Sequence, residues 1–238
     1  MSLALSLVIP AYNEQARLPY TLSEVAAYVC QEQIDSEIIV VDNGSTDATS
    51  VVVQQAAATF PRLRLLRTDK RGKGRAVRTG VLAARGDIVL FADADLSWSV
   101  EDVPRFMGLV DGAAVVIGSR EGAGARRIGE PSYRHLMGRV FNRVVQALAV
   151  RGVEDSQCGF KAFRADAARA IFSRQRVDGF GFDVEVLYLA RRLGYEVRVV
   201  PLRWEHKENS RVAPVRDTLL MLSDVLVVRL NAWRGAYE

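Results

Sequence analysis

Two aspartates separated by one residue, Asp93 and Asp95, form the pattern in this sequence with the clearest chemical meaning. They follow an aliphatic run and would therefore lie just past the end of a buried strand. Two carboxylates held this close repel each other unless a cation is bound, and hard divalent ions take oxygen ligands. The pair predicts a site for Mg²⁺ or Mn²⁺, although a solvated turn with a helix-capping aspartate would give the same pattern.

Three other polar segments also follow aliphatic runs: Pro10–Glu14, Asp42–Asp47 and Lys70–Gly74. Asp42 could accept hydrogen bonds from a nucleobase or a ribose, and Tyr12 could pack on a base. Glycines next to cations at the start of a helix can admit a phosphate close to the backbone. Each segment could equally be an ordinary turn, so their meaning depends on where the fold places them.

The apolar spacing predicts strands and helices that alternate through the first half of the chain. The predicted strands are 5–9, 37–41, 63–67, 87–92 and 113–118, and the helices between them begin at residues 18, 48, 74 and 99. Continuous aliphatic strands are typical of a parallel sheet covered on both faces. We therefore expect an α/β fold with a mostly parallel sheet flanked by helices, and ligands beyond the carboxyl ends of its strands.

The second half of the chain has a less regular pattern. We expect a mobile loop at 121–131, helices at 133–150 and 183–193, a turn at 155–161 that leads into a short strand, a strand at 196–200 and a polar loop at 204–212. Residues 1–212 would form one domain. Residues 213–238 would add an amphipathic helix, with Leu219, Leu222, Leu226 and Leu230 packed on that domain or on a membrane surface.

Composition limits the classes of protein that remain. The 238 residues are 49% hydrophobic and 25% charged, as in an ordinary globular domain. Two cysteines without a CxxC pattern indicate neither a disulfide framework nor structural zinc, and favour a cytosolic location. No run of about 20 apolar residues predicts a membrane-spanning helix. The net charge of +4 suits anionic partners such as nucleotides, lipid phosphates or an anionic membrane surface, and no basic-aromatic motif indicates nucleic acid.

The segments at the strand ends resemble the motifs of the family-two inverting glycosyltransferases with the GT-A fold. The matching segments are 10–14, 41–47, 72–74 and 93–97. Three later segments, at 118–120, 155–161 and 182–185, resemble the branch that glycosylates polyprenyl phosphates. Within that branch the dolichyl-phosphate β-glucosyltransferases are most similar and the dolichyl-phosphate mannose synthases come next. The resemblance covers about residues 5–212 and implies a single GT-A domain.

The resemblance implies an inverting, metal-dependent transfer of a hexose, with glucose and UDP-glucose favoured, to a polyprenyl phosphate. It assigns the nucleotide-sugar to Pro10, Ala11, Tyr12, Glu14, Asp42, Lys73, Gly74, Asp93, Ala94 and Asp95, with Asp93 and Asp95 meeting the diphosphate through Mg²⁺ or Mn²⁺. Arg120 and the 155–161 turn would face the sugar and the acceptor. We expect Asp155 to act as a base or to contact a sugar hydroxyl. Asp183 and Glu185 are rivals for that role, and Glu185 could instead orient a neighbour.

A phosphate acceptor needs cations more than it needs a base, because the second pKa of a phosphate monoester is about 6. The basic residues expected to hold it are Arg126, Arg134, Arg139, Lys207 and Arg211, although each could simply belong to a solvated basic face. Arginine suits two-pronged contacts with phosphate.

Four alternatives remain open at this point. They are a GDP-mannose-dependent mannosyltransferase, a glycosyltransferase with a soluble acceptor, a non-catalytic nucleotide-binding module and a nucleotidyltransferase. The last is disfavoured because no GxGTR-like loop follows the first strand. For a lipid acceptor we expect a cytoplasmic protein or one bound peripherally to the cytoplasmic face of the membrane.

Overall fold

The computed structural model describes residues 3–207 and 214–238, without the side chains of Arg134 and of residues 214–217. The strands in these ranges are β1 (Leu3–Ala11), β2 (Ser36–Asp42), β3 (Leu63–Arg67), β4 (Gly86–Ala92), β5 (Val115–Ser119), β6 (Arg126–Ile128), β7 (Phe160–Arg164), β8 (Val197–Pro201) and β9 (Arg203–Glu205). The helices are α1 (Leu18–Gln31), α2 (Thr49–Ala57), α3 (Lys73–Ala83), α4 (Asp102–Val110), α5 (Ser132–Leu148), α6 (Ala165–Phe172), α7 (Phe182–Arg192) and α8 (Pro214–Trp233).

Seven strands form one sheet in the order β3-β2-β1-β4-β7-β5-β8. All neighbouring pairs are parallel except those of β7, which runs antiparallel to both β4 and β5. The strand order reverses direction around β1, so the ends of β1 and β4 lie side by side at the point where such folds bind ligands. The expected α/β fold with a mostly parallel sheet is confirmed.

The sheet separates two hydrophobic cores because successive residues of a strand point to opposite faces. Ile38 and Val40 of β2 contribute to the core beneath α1, α2 and α4. Ile39 and Val41 contribute to the other core, which α3, α5, α6, α7 and α8 cover. Burial on both faces explains why these strands are mostly aliphatic, and it favours polar residues where the strands end.

The predicted mobile loop at 121–131 is wrong for its central part. Residues Arg126–Ile128 form β6, which pairs in parallel with β9 (Arg203–Glu205). Strand β9 overlaps the start of the segment at 204–212 that was predicted to be a polar loop. Both strands are three residues long and mostly charged, so neither carries the apolar alternation by which strands are recognised. Helix α6 was also not predicted.

Helix α8 lies within the predicted range. One of its apolar sides is buried in the core, and a second apolar side is exposed. Val225 and Val228 are buried in the core that α7 also covers, and Leu222 packs against that core. Leu226 and Trp233 are 61% and 83% exposed. None of the helices within the described ranges combines the length and the apolar character needed to cross a membrane.

Candidate active site

The loops that follow β1 and β2 are joined to each other at the carboxyl edge of the sheet. Ala11 lies opposite Asp42 in the strand register, and the backbone N–H of Asn43 donates to the Ala11 carbonyl at 2.8 Å. The side chain of Asn13 accepts from the N–H of Thr46 at 2.8 Å, and the N–H of Asn13 donates to Ser45 at 3.0 Å. Pro10, Ala11, Tyr12, Glu14 and Asp42 therefore belong to one continuous rim.

The carboxylate of Asp42 is held by one residue of its own loop and one residue of α2. It accepts hydrogen bonds from the backbone N–H of Ser45 at 2.9 Å and from the hydroxyl of Ser50. Burial alone would raise the pKa of this carboxyl, but the hydrogen bonds from Ser45 and Ser50 lower it below its usual value. Asp42 is thus a fixed anion at the end of β2.

Tyr12 and Glu14 each contact an arginine. The guanidinium of Arg71 lies 3.8 Å from the centre of the Tyr12 ring. Glu14 is buried and accepts from Nε and Nη2 of Arg17 at 2.7 and 2.5 Å. Arg71 therefore covers one face of the Tyr12 ring, a contact that nothing in the sequence pattern indicates.

Asp93 lies next to the first residue of α3. The ammonium of Lys73 is 2.7 Å from Oδ1 of Asp93. Burial alone would lower the pKa of Lys73, but attraction to Asp93 and to Asp183 raises it. A side chain on Gly74 would collide with Phe182 and Val177, which explains why the start of α3 is glycine-rich. Lys73 and Asp93, two residues assigned to the donor site, are in direct contact.

Asp95 and the backbone of Ala94 are each held by a hydrogen bond. Oδ1 of Asp95 accepts from the N–H of Ser97 at 3.1 Å, and the Ala94 carbonyl accepts from Thr21 at 2.7 Å. Across residues 3–207 and 214–238, no group of three or more histidine, cysteine, aspartate or glutamate side chains could hold a metal ion. Two carboxylates fit Mg²⁺ or Mn²⁺, because these ions keep waters and share their shell with substrate phosphates.

Arg120 and Asp155 form a buried, two-pronged ion pair. Nε and Nη2 of Arg120 donate to the two carboxylate oxygens at 2.7 Å each, and the backbone N–H of Arg120 donates at 2.8 Å. Burial would raise the pKa of Asp155, but the charge and hydrogen bonds of Arg120 lower it to about 2. A carboxylate with that pKa is a poor general base near neutral pH.

A polar cavity of about 380 Å³ opens beside Arg120. Arg127 of β6 contributes to its wall and pairs with Glu121 at 2.8 Å and with Glu130. His135 of α5 contacts the same Glu121 oxygen at 2.9 Å. Nε of Arg127 also donates to the backbone carbonyl of Arg120 at 3.2 Å, so the two arginines are direct neighbours.

Asp183 and Glu185 make different contacts although they share the first turn of α7. Asp183 accepts from the ammonium of Lys161 at 2.5 Å, and both residues are buried. Glu185 accepts from the backbone N–H of Val177 at 2.8 Å and from the hydroxyl of Tyr237 at 2.6 Å. Glu185 thus joins the first turn of α7 to Val177 and to Tyr237. The role expected for it from the sequence stays a prediction.

The basic residues expected to hold a phosphate are spread over several elements. Arg126 is exposed on β6, Arg139 is exposed on α5, and Lys207 pairs with Glu205 at 3.2 Å. Arg134 belongs to α5 by its backbone, but its side chain and all of Arg211 lie outside the described residues. Within the described part of the chain, Arg120 and Arg127 are the arginines that line the cavity.

Comparison with known proteins identifies the family of this chain. The sequence model of glycosyl transferase family 2 matches residues 6–172. Dolichyl-phosphate beta-glucosyltransferase of Homo sapiens is 36% identical over 98% of this chain and 77% of its own length. The enzyme of the same name from Saccharomyces cerevisiae is 32% identical over 98% of this chain and 76% of its own length.

Solved structures show the same fold. Glucosyl-3-phosphoglycerate synthase from Mycobacterium tuberculosis, in complex with Mn²⁺, UDP and glucosyl-3-phosphoglycerate, superposes with a TM-score of 0.74 at 22% identity. The match covers 96% of this chain and 79% of the synthase chain. The family match extends over most of the chain and contains the aspartate pair, Arg120 and Asp155. The protein therefore belongs to glycosyl transferase family 2 and is a glycosyltransferase.

Proposed function

We propose that this protein transfers glucose from UDP-glucose to a polyprenyl phosphate such as dolichyl phosphate, with inversion at the anomeric carbon. One observation carries the proposal: residues 155–159, named here the 155–159 turn, contact the two sides of the site. At one end Asp155 grips Arg120 beside the cavity, and at the other the Gly159 carbonyl accepts from the N–H of Asp93 at 3.0 Å. A donor bound at Asp93 and a phosphate bound at Arg120 would therefore be neighbours.

The donor side is supported by the residues at the ends of β1, β2 and β4. The fixed anion of Asp42 and the ring of Tyr12 provide polar and stacking contacts for a nucleoside. Lys73, beside Asp93, supplies a cation for the diphosphate. The relatives named above are called glucosyltransferases, and a structural neighbour was solved in complex with Mn²⁺ and UDP-glucose. Both findings favour UDP-glucose over GDP-mannose as the donor.

Asp93 and Asp95 would hold the Mg²⁺ or Mn²⁺ ion through their carboxylate oxygens. When bound, the ion supplies positive charge that offsets the charge developing on the departing nucleoside diphosphate. Lys73 would add positive charge at the same place, because its ammonium is 2.7 Å from Oδ1 of Asp93. Both contributions favour breaking the bond between the anomeric carbon and the diphosphate oxygen.

The acceptor side is supported by the arginines that line the cavity. An acceptor phosphate held by Arg120 and Arg127 would attack the anomeric carbon with one of its oxygens, as the diphosphate leaves from the opposite face. No general base is required, because a phosphate monoester loses its second proton at a pKa of about 6. Asp155 would then serve to fix Arg120. Arg126, Arg139 and Lys207 remain candidates for the approach of the phosphate rather than for its final position.

The proposal includes peripheral attachment to an anionic membrane on its cytoplasmic face. The exposed apolar side of α8 carries Leu219, Leu226, Leu230 and Trp233. Helix α5, which packs against α8, exposes Leu136 and Val140 and lines the cavity with its first turn. A lipid-linked acceptor would have to reach that cavity from a membrane.

Product analysis tests the transfer directly. The protein is incubated with Mn²⁺ and labelled UDP-glucose or GDP-mannose, together with dolichyl phosphate, undecaprenyl phosphate or 3-phosphoglycerate. We expect labelled lipid from UDP-glucose with a polyprenyl phosphate. Label in glucosylphosphoglycerate alone, or label only from GDP-mannose, would contradict the proposed acceptor or donor respectively.

A substitution tests the assignment of the ion. Asp95→Asn removes one anionic ligand, so we expect turnover to fall about 10²–10³-fold, the cost of losing one electrostatic contact in such a site. Calorimetry should show that UDP binding no longer strengthens when Mn²⁺ is added. The exposed Asp111→Asn is the matched control. If Mn²⁺ strengthens UDP binding by Asp95→Asn as much as it does for the wild type, the role of Asp95 as an ion ligand is contradicted.

A further inference from the structure

A lysine and an aspartate are buried together beneath the proposed donor site. Lys161 of β7 is 0% exposed and Asp183 of α7 is 1% exposed. The ammonium of Lys161 donates to Asp183 at 2.5 Å and to the Cys158 carbonyl at 2.6 Å. Desolvating two charges is costly, and an apolar pair of similar volume is often at least as stable. The ion pair is therefore poorly explained by stability alone.

Lys161 holds the 155–159 turn at the end nearest Asp93. Its bond to the Cys158 carbonyl closes the turn immediately before β7 begins. The next residue, Gly159, packs so closely on Asp93 that a side-chain carbon there would lie 1.9 Å from a carboxylate oxygen. A shift of the turn toward Asp93 would therefore displace the carboxylate of Asp93.

The same buried region contains a second cation. Lys73 lies on Asp93, and its charge also interacts with Asp183. Both lysines face the ring of Phe91, at 5.2 Å for Lys161 and 5.9 Å for Lys73. Asp183 thus lies within the electrostatic reach of both lysines and ties α7 to the donor side of the site.

We propose that Lys161 and Asp183 are positioning residues for the transfer reaction. Their ion pair fixes the 155–159 turn, so that Asp93 at one end and Arg120 at the other keep the separation that the reaction needs. The inference rests on the proposed function for the roles of Asp93 and Arg120. It gives Asp183 a role through Lys161 rather than a direct contact with the substrate.

A double-mutant cycle separates positioning from stability. Lys161→Met and Asp183→Asn each leave one buried charge without its partner, so each should lower the melting temperature. The double variant Lys161→Met/Asp183→Asn removes both charges and should regain most of the lost melting temperature. Because the double variant is the one expected to fold well, it alone decides the outcome if a single variant does not fold.

Activity and metal affinity should not recover with stability. We expect the double variant to keep a loss of about 10²-fold in kcat, the size of effect that misplacing a reacting group by about 1 Å produces. Its affinity for Mn²⁺ in the presence of UDP, measured by electron paramagnetic resonance, should also stay weakened. Recovery of both kcat and Mn²⁺ affinity together with the melting temperature would overturn the proposal.

An exposed ion pair on the same strand provides the matched control. Arg164, the last residue of β7, pairs with Asp166 at 2.7 Å, and both side chains are largely exposed. Asp166→Asn should leave kcat, Mn²⁺ affinity and melting temperature unchanged. The measurements of Mn²⁺ and UDP binding need no acceptor. If the wild-type protein binds both but transfers glucose to a different acceptor, the proposed acceptor is wrong and this inference still stands.

Discussion

Three donors of one residue converge on the carboxylate of Asp155. The backbone N–H, Nε and Nη2 of Arg120 all lie within 2.8 Å of its two oxygens. The edge of the guanidinium formed by Nε and Nη2 binds Asp155, and Arg120 also lines the cavity. A planar cation held rigidly in this way is well suited to a second, two-pronged contact with a phosphate.

The pKa of Asp155 predicts how the pair affects stability. Its folded pKa of about 2 lies below the usual value of 3.8, so the ionised form stabilises the fold. That contribution is fully present above about pH 4 and is lost as the pH falls towards about 2. We expect the stability difference between wild type and Asp155→Asn, measured by urea unfolding, to be constant from about pH 8 to pH 5 and smaller at about pH 3. A difference that changes between neutral pH and about pH 5 would contradict this reading of the pair.

Gly159 predicts a loss of function without a loss of fold. Its backbone is not in the left-handed region, so Gly159→Ala strains only the contact between the new methyl group and Asp93. We expect weaker Mn²⁺-dependent UDP binding and a fall of about 10²-fold in kcat. Calorimetry and initial rates measure both. Gly108→Ala in α4 is the control, because a methyl group there meets nothing within 4 Å. Unchanged Mn²⁺-dependent binding in Gly159→Ala would argue against Asp93 as a ligand.

At the level of elements, the antiparallel direction of β7 places the segment before it at the carboxyl edge of the sheet. Running antiparallel between β4 and β5, it begins at the carboxyl edge of the sheet, where β4 ends. The segment before β7 is therefore placed directly against Asp93 and Arg120. A parallel strand at this position would instead have its first residues at the opposite edge.

The elements that the sequence predicted are those with local signals. The strand ends at Asp42 and Asp93 follow uniform aliphatic runs, and α1 and α8 carry complete apolar patterns. The pairing of β6 with β9, and the ion pairs of Arg120 with Asp155 and of Lys161 with Asp183, join residues far apart in the chain. Such contacts leave no periodic pattern, so the positions of the polar residues at the strand ends were predictable from the sequence and these long-range contacts were not.

The segment that follows α8 predicts a measurable stability effect. The hydroxyl of Tyr237 donates to Glu185 at 2.6 Å, and the ring is buried against α7. Tyr237→Phe removes one bond to a carboxylate in a buried setting, so we expect a loss of about 1.5–3 kcal/mol in the free energy of unfolding. Urea unfolding measures this value. Tyr20→Phe, at an exposed position of α1, should leave the free energy of unfolding unchanged. An equal loss in both variants would show that the bond between Tyr237 and Glu185 does not stabilise the fold.

At the scale of the whole molecule, charge and apolar exposure coincide on one side. The exposed apolar residues of α8 lie on the helix that also carries Arg229 and is followed directly by Arg234, and the exposed stripe of α5 includes Arg139 and Arg143. Large apolar patches on soluble proteins usually mark interaction surfaces. Basic residues at the border of such a patch favour an anionic bilayer, by about 1 kcal/mol for each one near the surface.

This arrangement predicts salt-sensitive binding to anionic vesicles. We expect the protein to sediment with phosphatidylserine-containing vesicles at low ionic strength and to be released by salt, because screening weakens attraction between separated charges. Leu226→Ser/Trp233→Ser should reduce the bound fraction without lowering the melting temperature, since both side chains are exposed. Tyr20→Ser/Val51→Ser removes two exposed apolar side chains from α1 and α2, which cover the other face of the sheet, and should bind like wild type. Absence of binding at low salt, or an equal loss in both double variants, would show that α8 is not the surface that meets the membrane.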